Sequence, residues 1–455
     1  MKSFFELHRN QLSNGLRVWC VPRPDTQTVA LMMQVPVGSR YETEANNGIS
    51  HFLEHMVFTG TERWNEAEVT DVVRRRGGEC NAQTSREETV YHLHVAAQDF
   101  EFGMDWLDQL LFKPTFTEEK FEKERQVIMN EKGGEYDYLR RAWLWLEDHN
   151  LGWSISRAVR RRLLPDPSLM LPIIGTDKSL KAITLDDLRA YHRDYYGPNN
   201  MTLLVVGDVE VEQVLALAEK QFGAIPQRSL PPSRPPVQLN NQPFHVRLHG
   251  PTPNQQGQLL IGAPLGPSNH PDRFAWSVIA EILENAYLQD IRYNSGLSYD
   301  VQVYPVLYTD AGYFVVYTTA KSQDFATIRQ TLERHLQRMV MGEFTEQELH
   351  EAQNSLQGRT LLGLQDNVEL AWWFTTDSLA LDNNAPYDYF YEIGRLTHAD
   401  VQRVAADYLA PDKRFSVEHR PPLTPQNLRP VAAIGAAGVA SAMLMWGQRR
   451  RLRQR

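Results

Sequence analysis

The chain has 455 residues, of which 42% are hydrophobic and 23% charged, so it is long enough for two or three domains with substantial cores. A formal net charge of −9 argues against a nucleic-acid-binding protein, because no domain-wide basic field exists to attract phosphates. The two cysteines, Cys20 and Cys80, have no metal-ligand spacing and predict free thiols rather than a disulfide framework.

The first predicted elements are a strand and a metal-binding helix. Residues 28–35 alternate as a β-strand does, and residues 51–55 read His-Phe-Leu-Glu-His. On a helix, His51 and His55 lie on one face and can offer neutral ring nitrogens to one cation. Glu54 lies on a neighbouring stripe, where it can accept a proton from a metal-bound water without ligating the metal. Such a short motif does not establish catalysis alone, and a third ligand is required.

A charged helix downstream offers candidates for that third ligand. Residues 117–131 lie before Gly133 and contain no proline or glycine, which favours a helix. Glu124 and Glu131 are two helical turns apart and share one face, so either could complete the site. The remaining glutamates of the segment are expected to be solvated: Glu118, Glu119 and Glu122.

With these residues in place, the chain resembles the pitrilysin/insulinase family of inverted-zincin metallopeptidases, especially its single-chain, mitochondrial-processing-peptidase-like members. The motif at 51–55 and the run Glu-Arg-Gln-Val-Ile-Met-Asn-Glu at 124–131 carry the resemblance. It implies that Glu54 is the general base and that Glu124 is a supporting carboxylate that orients or tunes the site without ligating the metal. It also implies one Zn²⁺ per chain with three ligands: His51, His55 and Glu131.

The resemblance also gives a role to the glycine-rich segment that follows the motif. Residues 77–85 lead into a predicted strand at 89–95. In the family this is the edge strand beside the metal, with which an extended peptide pairs by main-chain hydrogen bonds. Asn81 and Ala82 are the candidate substrate-binding residues. Without the neighbouring motif, the same segment would indicate only a turn before a strand.

Two weak internal echoes predict a duplicated fold. Residues 184–198 are echoed by 397–411, and each copy predicts a capped helix, a tyrosine-containing turn, a proline and a strand. We therefore expect an α+β fold of two homologous modules, each a mainly antiparallel sheet covered by helices on one face, plus a C-terminal hydrophobic helix. The expected divisions are a catalytic module at 1–225, a Pro-rich linker at 226–244 and a second, metal-less module at 245–422.

The second module lacks the metal-binding residues. In a second echo, between 116–118 and 344–346, Ala352 and Arg359 fall opposite the two glutamates of the first module. The resemblance places an arginine and a tyrosine from this half over the active site, and Arg292 and Tyr299 match that pattern. They could stabilise the oxyanion of a tetrahedral intermediate, although an ordinary turn with a core tyrosine is the alternative.

The predicted function is a zinc-dependent endopeptidase that cleaves peptides or unfolded segments inside a closed chamber. Long family members fuse four modules, so a homodimer, or a heterodimer with a related chain, would be needed to build the full chamber. The alternative is a non-catalytic or partner-dependent scaffold subunit of the same family. The intact set at His51, Glu54, His55 and Glu131 favours the enzyme.

The C-terminus predicts a contact with a membrane. Residues 431–446 carry no charge and precede an arginine-rich end, so we expect an anchor at 430–447 and a basic tail at 448–455. Because about twenty apolar residues span a bilayer, this segment is short, and a buried or interfacial helix is the alternative. The N-terminus has no signal-peptide core, so the protein would be membrane-associated and otherwise cytoplasmic. The arginines beyond the anchor favour the opposite orientation, which leaves the topology open.

Overall fold

The computed structural model describes residues 5–133, 146, 148, 152–250, 256–378 and 389–421. Within them are eleven strands, which form two sheets, and fifteen α-helices. The strands are β1 (His8–Gln11), β2 (Arg17–Pro22), β3 (Thr28–Val35), β4 (Glu79–Thr84), β5 (Thr89–Ala96), β6 (Thr202–Gly207), β7 (His245–His249), β8 (Gly257–Leu265), β9 (Val301–Leu307), β10 (Gly312–Ala320) and β11 (Phe415–Arg420).

The helices alternate with the strands in blocks. A π-helical turn at Leu288–Asn294 follows directly on the tenth helix. The α-helices are α1 (Ile49–Val57), α2 (Glu66–Arg74), α3 (Phe100–Phe112), α4 (Glu118–Gly133), α5 (Ile155–Leu163), α6 (Pro167–Met170), α7 (Asp177–Ala182), α8 (Leu185–Tyr195), α9 (Val211–Phe222), α10 (Arg273–Tyr287), α11 (Phe325–Val340), α12 (Glu346–Gly363), α13 (Asn367–Ser378), α14 (Tyr389–Gly394) and α15 (His398–Leu409).

The first sheet has the strand order β1-β2-β6-β3-β5-β4, and its pairs are antiparallel except for β2 with β6. The central strand β3 is apolar at successive positions because both of its faces are covered. Val29, Leu31 and Met33 face one core, whereas Ala30 and Met32 face another. Strand β4 lies at the edge of the sheet, beside α1.

The second sheet repeats this arrangement. Its order is β7-β11-β8-β10-β9, with β7 and β11 as the parallel pair. The echoed helices α8 and α15 begin with the same capping box, formed by Thr184 with Asp187 and by Thr397 with Asp400. The predicted α+β fold of two related, mainly antiparallel modules is confirmed.

The two halves of the chain exchange helices, which the sequence did not lead us to expect. Helix α5 of the first half packs Ile155, Val159 and Leu163 against the outer face of the second sheet. Helix α13 of the second half packs Leu370 and Phe374 against the outer face of the first sheet. The expectation of helices on one face only was wrong, because the outward-facing positions of the central strands are apolar too and must also be buried.

A buried ion cluster joins the hairpin between β4 and β5 to the hairpin between β9 and β10. Arg40 is only 3% exposed, and its Nη1 and Nη2 lie 2.5 Å from Glu87 Oε1 and 2.6 Å from Asp310 Oδ2. Glu87 also accepts a hydrogen bond of 2.6 Å from the Thr309 hydroxyl. Burial alone would lower the pKa of Arg40, but hydrogen bonds to these two carboxylates and their charges raise it. The cluster therefore ties the two modules together.

The predicted C-terminal anchor cannot be compared with the structure. Residues 430–447 and the basic tail at 448–455 lie outside the described residues, so both stay predictions. Among the helices that the structure describes, none combines the length and the apolar character that a bilayer span requires.

Candidate metal centre

Helix α1 carries the histidine motif and begins at a buried anchor. Gly48 precedes the helix with a φ of 93°, and a Cβ there would lie 2.7 Å from the Cα of Gly175, so this position requires glycine. The Glu42 carboxylate accepts hydrogen bonds from the Gly48 amide at 2.7 Å and the Ser50 amide at 2.9 Å. These bonds satisfy amides that a helix start leaves unpaired and place a negative charge at its positive end.

Helix α4 docks against α1 through aromatic and cationic contacts. The rings of Phe52 and Phe121 stack with their centroids 4.7 Å apart. The Arg125 guanidinium lies 4.6 Å from the centroid of Phe121 and donates to the Ile183 carbonyl at 2.9 Å, which holds α4 in place. This docking brings the two predicted glutamates of α4 to the motif on α1.

The three predicted ligands, His51, His55 and Glu131, form one cluster that we call the metal trio. His51 Nε2 lies 3.8 Å from Glu131 Oε1, and His55 Nε2 lies 3.5 Å from Glu131 Oε2. One ligand atom from each residue lies within 4.8 Å of the others, and no other such group occurs in the described part of the chain. Ligands of a tetrahedral zinc ion lie about 3.4 Å apart, so the trio fits Zn²⁺ after small adjustments.

The two histidines of the trio differ in their electrostatics. Burial, together with the charge of His55, lowers the pKa of His51 to about 4, so its ring is neutral at pH 7 and has a lone pair to offer. Burial alone would lower the pKa of His55, but a hydrogen bond to Glu124 and nearby carboxylates raise it. His55 Nδ1 lies 3.3 Å from Glu124 Oε2, which leaves Nε2 facing Glu131. A carboxylate behind a metal-binding imidazole is the usual supporting contact.

Glu54 lies next to the metal trio without belonging to it. The Thr84 hydroxyl donates a hydrogen bond of 2.5 Å to Glu54 Oε2. Burial raises the pKa of Glu54, while the Thr84 hydrogen bond and the charge of His55 act in the opposite direction. A buried carboxylate whose pKa moves towards neutrality suits a general base.

The candidate substrate-binding residues lie on the edge strand. Strand β4 pairs with β5 and has no second neighbour among the described strands. Asn81 is exposed on this strand, Ala82 is half-buried, and the Ala82 amide donates to Asn81 Oδ1 at 2.9 Å. An edge strand presents unpaired main-chain groups to which an extended peptide can add. The binding role of both residues stays a prediction.

Arg292 and Tyr299, the two site residues predicted from the second half, contact each other. Arg292 lies in the π-helical turn, and its guanidinium is 5.3 Å from the ring centroid of Tyr299, which is 83% exposed. Asp290 anchors this turn through a 2.8 Å contact with His335 Nε2. Within the described residues, no side-chain hydrogen bond or ion pair joins Arg292 or Tyr299 to the metal trio. Their role over the active site stays a prediction.

In the second half, the residue that aligns with Glu131 takes part in an ion pair. Helices α10 and α12 pack as α1 and α4 do, and Arg359, which aligns with Glu131, forms an ion pair with Glu281. The Ser355 hydroxyl also donates to Glu281 Oε1 at 2.7 Å. The guanidinium supplies the positive charge that this largely buried carboxylate requires.

Sequence reasoning missed two residues that shape the centre, Glu42 and Thr84. A local signal for Glu42 exists, because an acidic residue shortly before a helix start favours the helix dipole. No comparable signal exists for Thr84, which meets Glu54 across 30 residues of sequence. That contact depends on how β4 lies along α1.

Two protein-family profiles match parts of this chain. The profile described as insulinase (peptidase family M16) matches residues 17–140, and the profile of the peptidase M16 inactive domain matches residues 182–356. The uncharacterised zinc protease YmxG of Bacillus subtilis is 28% identical over 366 residues, which cover 79% of this chain and 85% of the relative.

Solved structures share the fold. A protease from Helicobacter pylori superimposes with a TM-score of 0.80 at 22% identity, covering 92% of this chain and 100% of that chain. The periplasmic protease PqqL from Escherichia coli superimposes with a TM-score of 0.74 at 22% identity, covering 92% of this chain and 48% of that chain. At this identity the likeness shows the fold alone.

Proposed function

Because the chain belongs to the M16 (pitrilysin/insulinase) peptidase family, we propose that it is a zinc-dependent endopeptidase acting on peptides or unfolded segments. The observation that carries the proposal is the metal trio with Glu54 beside it, assembled from two helices that docking and capping hold in place. Two imidazoles and one carboxylate around an open position are the ligand set of a catalytic zinc site.

In the proposed reaction, three side chains would hold the metal and a fourth would transfer a proton from water to the leaving amine. His51, His55 and Glu131 would hold Zn²⁺, which when bound would supply a Lewis acid for polarising a carbonyl and activating water. Glu54 takes the proton of the attacking water and returns it to the leaving amine. Glu124 keeps His55 in the orientation that turns its Nε2 towards the metal.

The substrate would bind as an additional strand on β4. Main-chain hydrogen bonds at Asn81 and Ala82 hold an extended peptide without reading its side chains, so unfolded segments are preferred over folded proteins. Arg292 and Tyr299 are proposed to meet this peptide from the second half. Their exposure in the described structure leaves both side chains available for such a contact.

We propose that a second copy, or a related chain, completes a chamber around the substrate. The chain corresponds to about half the length of PqqL, which supports the idea that a full chamber contains two such units. The alternative, a non-catalytic scaffold subunit, draws support from the match to the M16 inactive domain. That match, over residues 182–356, includes Ala352, which aligns with Glu124, whereas the first half keeps its ligands.

Three variants of α4 test the metal centre. Glu131→Gln should lower zinc affinity by more than about 100-fold, because a neutral amide replaces a ligand, and Glu124→Gln should lower it by about 10- to 100-fold. Glu118→Gln is the matched control, since this glutamate is solvent-exposed on the same helix. Competition titration against a chromophoric chelator measures each affinity. Wild-type affinity in Glu131→Gln would refute the assigned ligand set.

A further inference from the structure

We propose that Thr84 is a positioning residue that fixes the Glu54 carboxylate relative to a peptide bound on β4. This inference rests on the proposed function, because it concerns the general base of that reaction. Thr84 is the last residue of β4, and its side chain turns away from solvent towards α1. It therefore connects the strand that would hold the substrate to the group that would move the proton.

The hydrogen bonds around the Thr84 hydroxyl indicate that it donates to Glu54. Its single proton goes to Glu54 Oε2 at 2.5 Å. The hydroxyl of Thr89 lies 3.5 Å from that of Thr84, but it donates its own proton to the Val37 carbonyl at 2.9 Å. Thr84 is 8% exposed, so water competes little for the bond to Glu54.

The Thr84 hydroxyl holds one of the two carboxylate oxygens of Glu54. A glutamate has three rotatable bonds, and a catalytic group must be held within about 0.5 Å of its productive place. Glu54 Oε2 is held by Thr84, and we expect Oε1 to take the proton of the water. Thr84 lies two residues beyond Ala82, about 7 Å along the strand, and thereby sets the offset between a paired peptide and the base.

The experiment compares Thr84→Val, which keeps the shape but loses the hydroxyl, with Thr84→Ser, which keeps the hydroxyl. In the zinc-loaded full chain, Thr84→Val should lower kcat for a quenched peptide by about 10- to 100-fold and leave KM within about twofold. Thr84→Ser should return kcat to within about threefold of wild type. Zinc affinity by chelator competition should be the same in all three proteins.

A binding measurement separates this role from a merely structural one. In the Glu54→Gln background, adding Thr84→Val should leave the Kd for the uncleaved peptide unchanged, because Thr84 acts through the base. A weakened Kd there would show that Thr84 shapes β4 itself and would overturn the proposal. An unchanged kcat in Thr84→Val, or no rescue by Thr84→Ser, would overturn it as well.

The outcomes also distinguish this proposal from the proposed function. If wild type cleaves the peptide and Thr84→Val cleaves it with the same kcat, the role of Thr84 is refuted and the proposed peptidase activity is supported. If zinc-loaded wild type cleaves no peptide, both are refuted. Should Thr84→Val and Thr84→Ala fail to fold while Thr84→Ser folds, the hydroxyl serves the fold and the positioning role is rejected.

Discussion

Glu54→Gln should bind zinc as wild type does and lower kcat for peptide cleavage by about 100- to 10,000-fold, the range that a general base contributes. Glutamine keeps the shape of the side chain and an oxygen that can accept the Thr84 hydroxyl, so the site should stay assembled. It cannot take a proton from water at neutral pH. Zinc content measured on the same sample shows that the loss concerns the proton and not the metal.

The matched control for this variant is Glu119→Gln, which makes the same chemical change at an exposed position of α4. Its kcat and zinc content should equal those of wild type. If Glu54→Gln cleaved the peptide at the wild-type rate with zinc bound, another group would have to move the proton and our assignment of Glu54 would be wrong.

Arg40→Leu should lower the free energy of unfolding by about 3–5 kcal/mol, because removing the buried arginine leaves two largely buried carboxylates without a counter-charge. The Arg40 side chain is 4% exposed and contacts Glu87 and Asp310, which belong to different modules. Denaturant unfolding followed by tryptophan fluorescence measures the difference. Arg74→Leu is the control, because it removes an exposed partner of Asp71. It should change the denaturant concentration at the unfolding midpoint little, because solvent screens that ion pair.

The pH dependence of the Arg40→Leu effect provides a second check. Burial alone would raise the pKa of Asp310, but its hydrogen bond to Arg40 lowers it below the ordinary 3.8. A carboxylate with a lowered pKa stabilises the fold above its unfolded pKa and loses that contribution as the pH falls. The difference in the free energy of unfolding between wild type and Arg40→Leu should therefore become smaller as the pH falls through 3.8. If the difference in the free energy of unfolding stayed constant from pH 7 to pH 3, the ion-pair explanation would be contradicted.

Local patterns in the sequence predicted the parts of the centre that lie within one element. Helical spacing placed His51 and His55 on one face of α1 and Glu124 and Glu131 on one face of α4, and the structure shows both arrangements. The echoed capping boxes predicted the second module in the same way. These features depend on residues a few positions apart, which a single sequence displays directly.

Contacts between distant segments could not be predicted in this way. Arg40 and Asp310 meet across 270 residues, and nothing near either residue indicates its partner. The exchanged helices are an intermediate case. Strand β3 is apolar on both alternating faces, which signals burial on two sides, but that signal does not say which helix covers the second face.

We propose that this chain hydrolyses peptides with zinc at His51, His55 and Glu131. This proposal is tested most directly by measuring zinc content and the hydrolysis of a quenched peptide on one preparation, before and after a chelator removes the metal. We predict one zinc per chain, loss of hydrolysis when zinc is removed, and its return when one equivalent of Zn²⁺ is added. Hydrolysis that persists in the metal-free chain, or a zinc-loaded chain that cleaves nothing in a broad peptide panel, would contradict the claim.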